Sequence, residues 1–137
     1  MARFLGDDIP LGFIPKVLLV EDDPVTRWMV RLALKEECML YTASDAKGAI
    51  ESFNAHNPDM VLLDIGLPGL NGKNLLKRFL CVDPDAFVIM FTSQNGREIV
   101  LESIRSGASG FISKPFDKSD ILEYLTECSV RNERQME

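Results

Sequence analysis

The sequence predicts an α/β fold, in which a five-stranded parallel sheet of order 2-1-3-4-5 lies between two layers of helices. Three observations predict it. Five short apolar runs alternate with segments whose apolar residues recur at helical spacing. The runs are apolar throughout, as in strands that are covered on both faces. Right-handed crossovers then leave few topologies, and five strands favour this order.

The five predicted strands are short and rich in β-branched residues, and turn-forming residues separate them from the helical segments. Their carboxyl ends all point to one edge of the sheet, because parallel strands share a direction. In chain order they are Lys16–Val20, Met39–Thr42, Met60–Leu63, Phe87–Phe91 and Gly110–Ser113.

The first helix is predicted to begin after Asp23 as its N-cap, with Pro24 at its first position, because both residue types are favoured there. Trp28 is expected to pack at the periphery, and Ser44 to cap the second helix. Helical spacing predicts the buried faces of the five helices in turn. They are Val25, Met29, Leu32 and Ala33; Ala46, Ala49, Ile50 and Phe53; Leu75, Leu76, Phe79 and Leu80; Ile99, Val100 and Ile104; and Ile121, Leu122, Leu125 and Cys128.

Length and composition indicate one domain. The chain has 137 residues, 46% of them hydrophobic, which suffices for one core and is too short for two ordinary domains. We expect an N-terminal extension over 1–15, the domain over 16–130, and a C-terminal tail or linker start over 131–137. The net charge of −6 argues against nucleic-acid binding over the whole surface, and no run is apolar enough to span a membrane. Three cysteines without a CxxC pair favour a reducing, cytoplasmic location.

Polar residues follow four of the predicted strands at the edge where ligands bind in such sheets. Glu21-Asp22-Asp23 follows the first strand and Asp64 the third, while Thr92 and Lys114 follow the fourth and fifth. Strands one and three are neighbours in this order, so their carboxylates should converge. Acidic oxygens without His or Cys suit a hard cation such as Mg²⁺. A lysine and a hydroxyl opposite it would hold an incoming phosphoryl group.

Each of these features has an ordinary structural interpretation when it is taken alone. An Asp after a strand usually forms a turn or a cap, and Lys-Pro is common in loops. The functional interpretation rests on all of them falling on one edge of one sheet. His56 lies away from that edge and is expected to be a surface or helix C-terminal residue.

Four stretches of the sequence carry the residues of this edge. They are Val17-Leu-Leu-Val-Glu-Asp-Asp23, Pro58-Asp-Met-Val-Leu-Leu-Asp-Ile-Gly-Leu-Pro-Gly-Leu-Asn-Gly72, Phe91-Thr-Ser93 and Gly107-Ala-Ser-Gly-Phe-Ile-Ser-Lys-Pro-Phe116. Together they resemble the response-regulator receiver domains of two-component signalling, a chemotaxis-regulator-like superfamily with a flavodoxin-like (βα)5 fold. The resemblance covers about residues 16 to 128.

The resemblance implies a role for each of these residues. Asp64 would be the phosphoacceptor, and Asp22, Asp64 and the backbone carbonyl of Gly66 would ligate Mg²⁺, with Glu21 acting through water. Thr92 would be the switch hydroxyl and Phe111 the switch aromatic. Lys114 would contact the phosphoryl group, with a cis peptide before Pro115. Gly66 and Gln94 would tune the lifetime of the phosphorylated state. Two departures from the family pattern are the Glu21-Asp22 pair in place of Asp-Asp and the missing side chain at Gly66.

The implied function is a phosphorylation-dependent switch rather than an enzyme with a separate substrate. A histidine kinase or a histidine phosphotransfer protein would donate the phosphoryl group. Phosphorylation would change the surface made by helix four, strand five and helix five, where Leu101 is predicted to be exposed and where a second copy or an effector domain would bind. No membrane or nucleic-acid contact is expected.

Two alternatives stay open. One is a pseudo-receiver that binds partners and is never phosphorylated, which the presence of Asp64, Thr92 and Lys114 argues against. The other is a flavodoxin-like cofactor carrier, which needs a hydroxyl- and Gly-rich phosphate loop where this chain has three acids. The pathway, the output and the length of the parent protein are not predicted.

Overall fold

The computed structural model describes residues 14–67 and 71–136, with side chains through Arg131. Its sheet has five parallel strands in the order β2-β1-β3-β4-β5, as predicted. Strands and helices alternate along the chain. They are β1 (Lys16–Val20), α1 (Pro24–Leu34), β2 (Met39–Ala43), α2 (Ala46–His56), β3 (Met60–Leu63), α3 (Gly72–Val82), β4 (Val88–Thr92), α4 (Arg97–Arg105), β5 (Gly110–Ser113) and α5 (Lys118–Met136).

The core forms two apolar layers, one on each face of the sheet. Successive residues of β1 alternate between them: Val17 and Leu19 face one layer, and Leu18 and Val20 the other. One layer is completed by α2 and α3, whose Phe53 and Phe79 stack with centroids 4.4 Å apart. The other is completed by α1 and α5. Burial on both faces explains why the central strands β1, β3 and β4 are almost entirely apolar.

The helix starts agree with the sequence at α1 and differ at α2. Asp23 caps α1 with Pro24 in its first turn, as predicted. The cap of α2 is Asp45 rather than Ser44: its side chain accepts the Gly48 N–H at 2.8 Å. Both residue types cap helices well, so the sequence alone did not separate two adjacent candidates.

The buried face of α1 is not the predicted one. Val30 and Leu34 are buried against the sheet, while Val25, Met29 and Leu32 are exposed. This helix carries apolar residues on two sides, and spacing identifies an apolar stripe without showing what covers it. Of the four predicted residues only Ala33 packs against the core, and Trp28 beside the other three is exposed rather than packed at the periphery of the core.

A smaller correction concerns α4. Ile99 packs against the core as predicted, but Ile104 is exposed and Ser103 is buried in its stead. The Ser103 hydroxyl donates to the Ile99 carbonyl oxygen at 2.9 Å, so its polar group is satisfied inside the helix. Leu101 is exposed, as predicted. In the part of the chain that the structure describes, no helix is long and apolar enough to cross a bilayer.

Candidate functional site

Three carboxylates meet at the carboxyl ends of β1 and β3. Val20 pairs with Leu63 in the register of these neighbouring strands, so the residues that follow leave the sheet side by side. The Asp64 N–H donates to the Val20 carbonyl oxygen at 3.1 Å and extends this pairing. One carboxylate oxygen from each of Glu21, Asp22 and Asp64 lies within 4.8 Å of the other two. The predicted convergence of these acids is therefore present.

Lys114, which follows the edge strand β5, brings a positive charge to this cluster. Its backbone N–H donates to the Thr92 carbonyl oxygen at 3.1 Å, which continues the pairing of β5 with β4. Its ammonium group bonds the Glu21 carboxylate and lies 3.2 Å from Asp64 Oδ2. The same ammonium lies 5.3 Å from the centre of the Phe91 ring, a cation–π contact beneath the site. The peptide bond from Lys114 to Pro115 is cis.

At both Glu21 and Lys114, burial and ion pairing shift the pKa in opposite directions. Glu21 is 1% exposed, and burial raises the pKa of its carboxyl, although bonds from Lys114 and from the Asp23 N–H act against the rise. Burial disfavours the charged form of Lys114, but its bond to Glu21 and the charge of Asp64 outweigh this and raise its pKa. The cation therefore stays charged because the acids are there.

Asp64 is held by backbone on both sides. Its Oδ1 accepts the Gly66 N–H at 3.2 Å, and its carbonyl oxygen lies beside the first residue of α3, Gly72. A Cβ on Gly72 would be 2.2 Å from that oxygen, so only glycine fits. The Gly72 N–H also donates to the Ile65 carbonyl oxygen at 2.9 Å. Sequence reasoning assigned no role to Gly72; its position just after the helix cap Asn71 was the available signal.

Thr92 and Gln94 lie on the β4 side of the cluster. Thr92 is buried, and its hydroxyl oxygen accepts the Gln94 N–H at 3.2 Å. The Gln94 side chain is exposed and lies next to Gly66, so the two predicted lifetime-tuning residues are spatial neighbours.

Phe111 lies outside this group. It is partly buried and packs against the core layer that contains Leu63 and Met90. Its N–H donates to the Tyr124 hydroxyl of α5 at 3.3 Å, a connection that the sequence did not suggest. The ring of Tyr124 lies directly on Gly110, where a Cβ would be 2.4 Å from a ring carbon.

The donor atoms at this edge suit a hard divalent cation. All three acidic side chains offer oxygen, without nitrogen or sulfur, and the exposed Asp22 leaves room for water ligands. Lys114 contacts two of the three carboxylates but carries a single positive charge, so the excess negative charge of the cluster is left for a cation to balance. The arrangement can hold a metal beside a buried carboxylate that a lysine orients.

Comparison with known proteins agrees with this geometry. The profile of the "Response regulator receiver domain" family matches residues 17–126. The chemotaxis protein CheY of Thermotoga maritima is 31% identical over 116 residues, covering 83% of this chain and 97% of that protein. The virulence transcriptional regulatory protein PhoP of Salmonella typhimurium is 30% identical over 118 residues, which are 85% of this chain and 53% of PhoP. A receiver domain crystal structure from Methanospirillum hungatei superposes with a TM-score of 0.82 at 26% identity, covering 90% and 99% of the two chains.

Proposed function

Since this chain belongs to the response regulator receiver domain family, whose members are signalling switches rather than enzymes with a separate substrate, we propose that Asp64 accepts a phosphoryl group in a Mg²⁺-dependent reaction. One observation carries the proposal: a single lysine contacts both the buried acid that follows β1 and the acid that follows β3. Ordinary helix caps would not share a cation across three strands.

The transfer forms a bond between an Asp64 carboxylate oxygen and phosphorus. The bond from phosphorus to the donor breaks, and the electron pair leaves with the imidazole of a phosphohistidine or with the carboxylate of an acyl phosphate. Lys114 offsets negative charge on the phosphoryl oxygens, and the Gly66 N–H fixes the Asp64 carboxylate for attack. Hydrolysis reverses the modification: water bonds to phosphorus, and the Asp64 carboxylate and inorganic phosphate are released.

Mg²⁺, when it is bound, supplies positive charge that relieves repulsion among the acids and neutralises the phosphoryl oxygens. Asp22, Asp64 and the carbonyl oxygen of Gly66 would hold it directly, and Glu21 through water. Both Glu21 oxygens already accept hydrogen bonds, one from Lys114 and one from the Asp23 N–H, which supports an indirect role.

The switch would run from Thr92 to Phe111. A phosphoryl group adds nearly two negative charges at the sheet edge, and the Thr92 hydroxyl would turn toward it. The space that the hydroxyl leaves would admit the Phe111 ring, which changes the surface of α4, β5 and α5. Partners in this proposal are a histidine kinase or phosphotransfer protein and, at the changed surface, an effector domain or a second copy. A cytoplasmic location is part of the proposal, and the free cysteines Cys38, Cys81 and Cys128 favour it.

The direct test is incubation of the purified protein with acetyl phosphate and Mg²⁺, followed by intact-mass measurement. Wild type should gain the mass of one phosphoryl group, and Asp64→Asn should gain none, because an amide is not a nucleophile here. Asp83→Asn, an exposed acid that ends α3, is the matched control and should react as wild type. If wild type gains no mass, or Asp64→Asn reacts at the wild-type rate, the assignment is wrong, and the first outcome favours a pseudo-receiver.

A further inference from the structure

The lysine of the candidate site must cross a neighbouring strand to reach the carboxylates. Lys114 follows the edge strand β5, whereas Asp64 follows β3, and β4 lies between these two strands. Adjacent strands lie about 4.8 Å apart, so the ammonium group reaches Asp64 only when its stem lies over the end of β4. The long, flexible stem of a lysine can adopt many other positions. The surface under its path therefore decides how often the ammonium reaches the site.

Phe91 of β4 lies under this path. Its side chain is fully buried, and the Lys114 ammonium lies 5.3 Å from the centre of its ring, within the ~6 Å range of cation–π attraction. The Phe116 ring packs edge-to-face against Phe91, with centroids 5.3 Å apart and an angle of 65° between the planes. The ring that the ammonium meets is therefore held in one orientation by its packing in the core.

The ring completes the surroundings of the ammonium group. A lysine ammonium has only N–H donors; one bonds Glu21, and a second lies 3.2 Å from Asp64 Oδ2. Among the residues that the structure describes, no further oxygen accepts a hydrogen bond from this ammonium. The Lys114 side chain is only 17% exposed, and partial removal from water strengthens a cation–π contact. An aliphatic side chain at position 91 would occupy similar space without attracting a cation.

We propose that Phe91 is a positioning residue, whose aromatic face holds the Lys114 ammonium beside Asp64 for phosphoryl transfer. This rests on the proposed function and adds a requirement to it: position 91 of this chain must be aromatic and not merely apolar. Without the ring, the lysine stem populates other rotamers, and fewer molecules present the ammonium to the phosphoryl oxygens. The rate of transfer then falls in proportion to the fraction that remains competent.

The first measurement is NMR of the Lys114 side chain, which needs no phosphorylation. The ε-methylene protons adjoin the ammonium over the Phe91 ring, so the ring current should move their resonance upfield in wild type. Phe91→Leu should return this resonance to the position of an ordinary lysine, and Lys114→Met identifies the signal by its loss. A wild-type resonance at the ordinary position, or one that Phe91→Leu leaves unchanged, overturns the proposal.

The second measurement separates attraction by the ring from the space that the ring fills. Fluorinated phenylalanines, introduced at position 91 alone, nearly keep the shape of the ring but withdraw negative charge from its face. With acetyl phosphate and Mg²⁺, the rate of phosphoryl uptake should fall stepwise with each added fluorine. Phe91→Leu should lower the same rate roughly 3- to 30-fold, as expected for the loss of one cation–π contact.

Phe79 is the matched control, because it is similarly buried but stacks on Phe53 in the other core layer. Fluorination there should leave the rate as in wild type, and circular dichroism should show that every variant keeps its helices. A rate that ignores fluorine at position 91, or that responds equally at position 79, overturns the proposal. A wild-type protein that gains no phosphoryl group overturns the proposed function instead, and the Lys114 resonance then decides whether Phe91 holds the ammonium.

Discussion

The amide nitrogen of the Gln94 side chain lies 3.0 Å from the point that a Cβ atom on Gly66 would occupy. Glycine at this position therefore leaves space that the Gln94 amide fills, on the open side of Asp64. Any larger residue at position 66 must push this exposed and flexible side chain aside.

The lifetime of phosphorylated Asp64 should depend on both residues together. Gln94 can hydrogen-bond a water but cannot act as a base near neutral pH, and Gly66 neither orients a water nor blocks one. We expect a lifetime on the order of minutes to an hour, since a tenfold change in rate needs only about 1.4 kcal/mol. Autodephosphorylation of wild type, Gln94→Ala, Gly66→Asn and the double variant measures this. Because a side chain at position 66 would contact Gln94, the effects should not add; additive effects, or an unchanged rate in Gln94→Ala, would contradict a shared role.

Mg²⁺ should raise the melting temperature through Asp22 and not through its neighbour Asp23. Binding to the folded state stabilises by linkage, so the shift should grow with Mg²⁺ concentration. Asp22→Ala should remove it, because Asp22 is the exposed carboxylate of the cluster and Lys114 contacts the other two. Asp23→Ala should lower the melting temperature without metal, since Asp23 accepts the Thr26 N–H and hydroxyl at 3.2 and 2.6 Å, yet it should keep the Mg²⁺ shift. Thermal melts of each variant with and without Mg²⁺ measure this. If Asp22→Ala keeps the full Mg²⁺-dependent rise in melting temperature, these acids serve only the helix start.

Lys114→Met should destabilise the protein by about 2–4 kcal/mol near neutral pH, because it leaves buried Glu21 and Asp64 without their cation. The loss should shrink at acidic pH. Burial already raises the pKa of Glu21 above 4.5, and removal of Lys114 raises it further, so the variant regains stability as Glu21 takes up a proton. In wild type the raised pKa of Lys114 means that the stability it contributes is present up to pH 10.5, as long as Glu21 is ionised, and is lost as the pH rises through the higher pKa of the folded state.

Urea unfolding at several pH values measures this dependence. Lys73→Met is the control, because it removes a lysine that pairs with Glu102 at the surface, where ion pairs contribute little. An equal loss for both lysine variants, or a loss that does not change between neutral and acidic pH, would show that the Lys114 contacts are not a buried charge pair.

A beryllofluoride complex, which mimics the phosphoryl group, should change the NMR resonances of Phe111 and Tyr124 as well as those around Asp64. The Tyr124 side chain is joined to the backbone of Phe111, because its hydroxyl accepts the Phe111 N–H. Backbone and side-chain spectra with Mg²⁺ and beryllofluoride test this, with Asp64→Asn as the variant that should not respond. Shifts confined to the cluster of carboxylates would argue against a switch that reaches β5 and α5.

The sequence predicted the sheet well because each strand is marked by a short local run of apolar residues. Strands β1, β3 and β5 begin and end as predicted, while β2 extends one residue further, to Ala43, and β4 is displaced by one residue toward Thr92. The convergence of Glu21, Asp22 and Asp64 followed from strand order alone. Spacing could not show which side of a helix is covered by the rest of the protein. Val25, Met29 and Leu32 of α1 and Ile104 of α4 recur at helical spacing, yet all four are exposed. Contacts between distant segments, such as Gly72 with Asp64 and Tyr124 with Phe111, left no periodic pattern to detect.

The bond from Phe111 to Tyr124 has a consequence for the colloidal behaviour of the protein. Strand β5 lies at the edge of the sheet, where free backbone amides can recruit a strand from another molecule and begin aggregation. Tyr124 occupies one of these amides with its hydroxyl and covers Gly110 with its ring, so the edge is partly sealed by the protein's own α5. Tyr124→Phe would remove the hydroxyl that accepts this N–H. Concentrated samples of the variant should then form thioflavin-positive aggregates if the exposed edge of β5 recruits strands from other molecules.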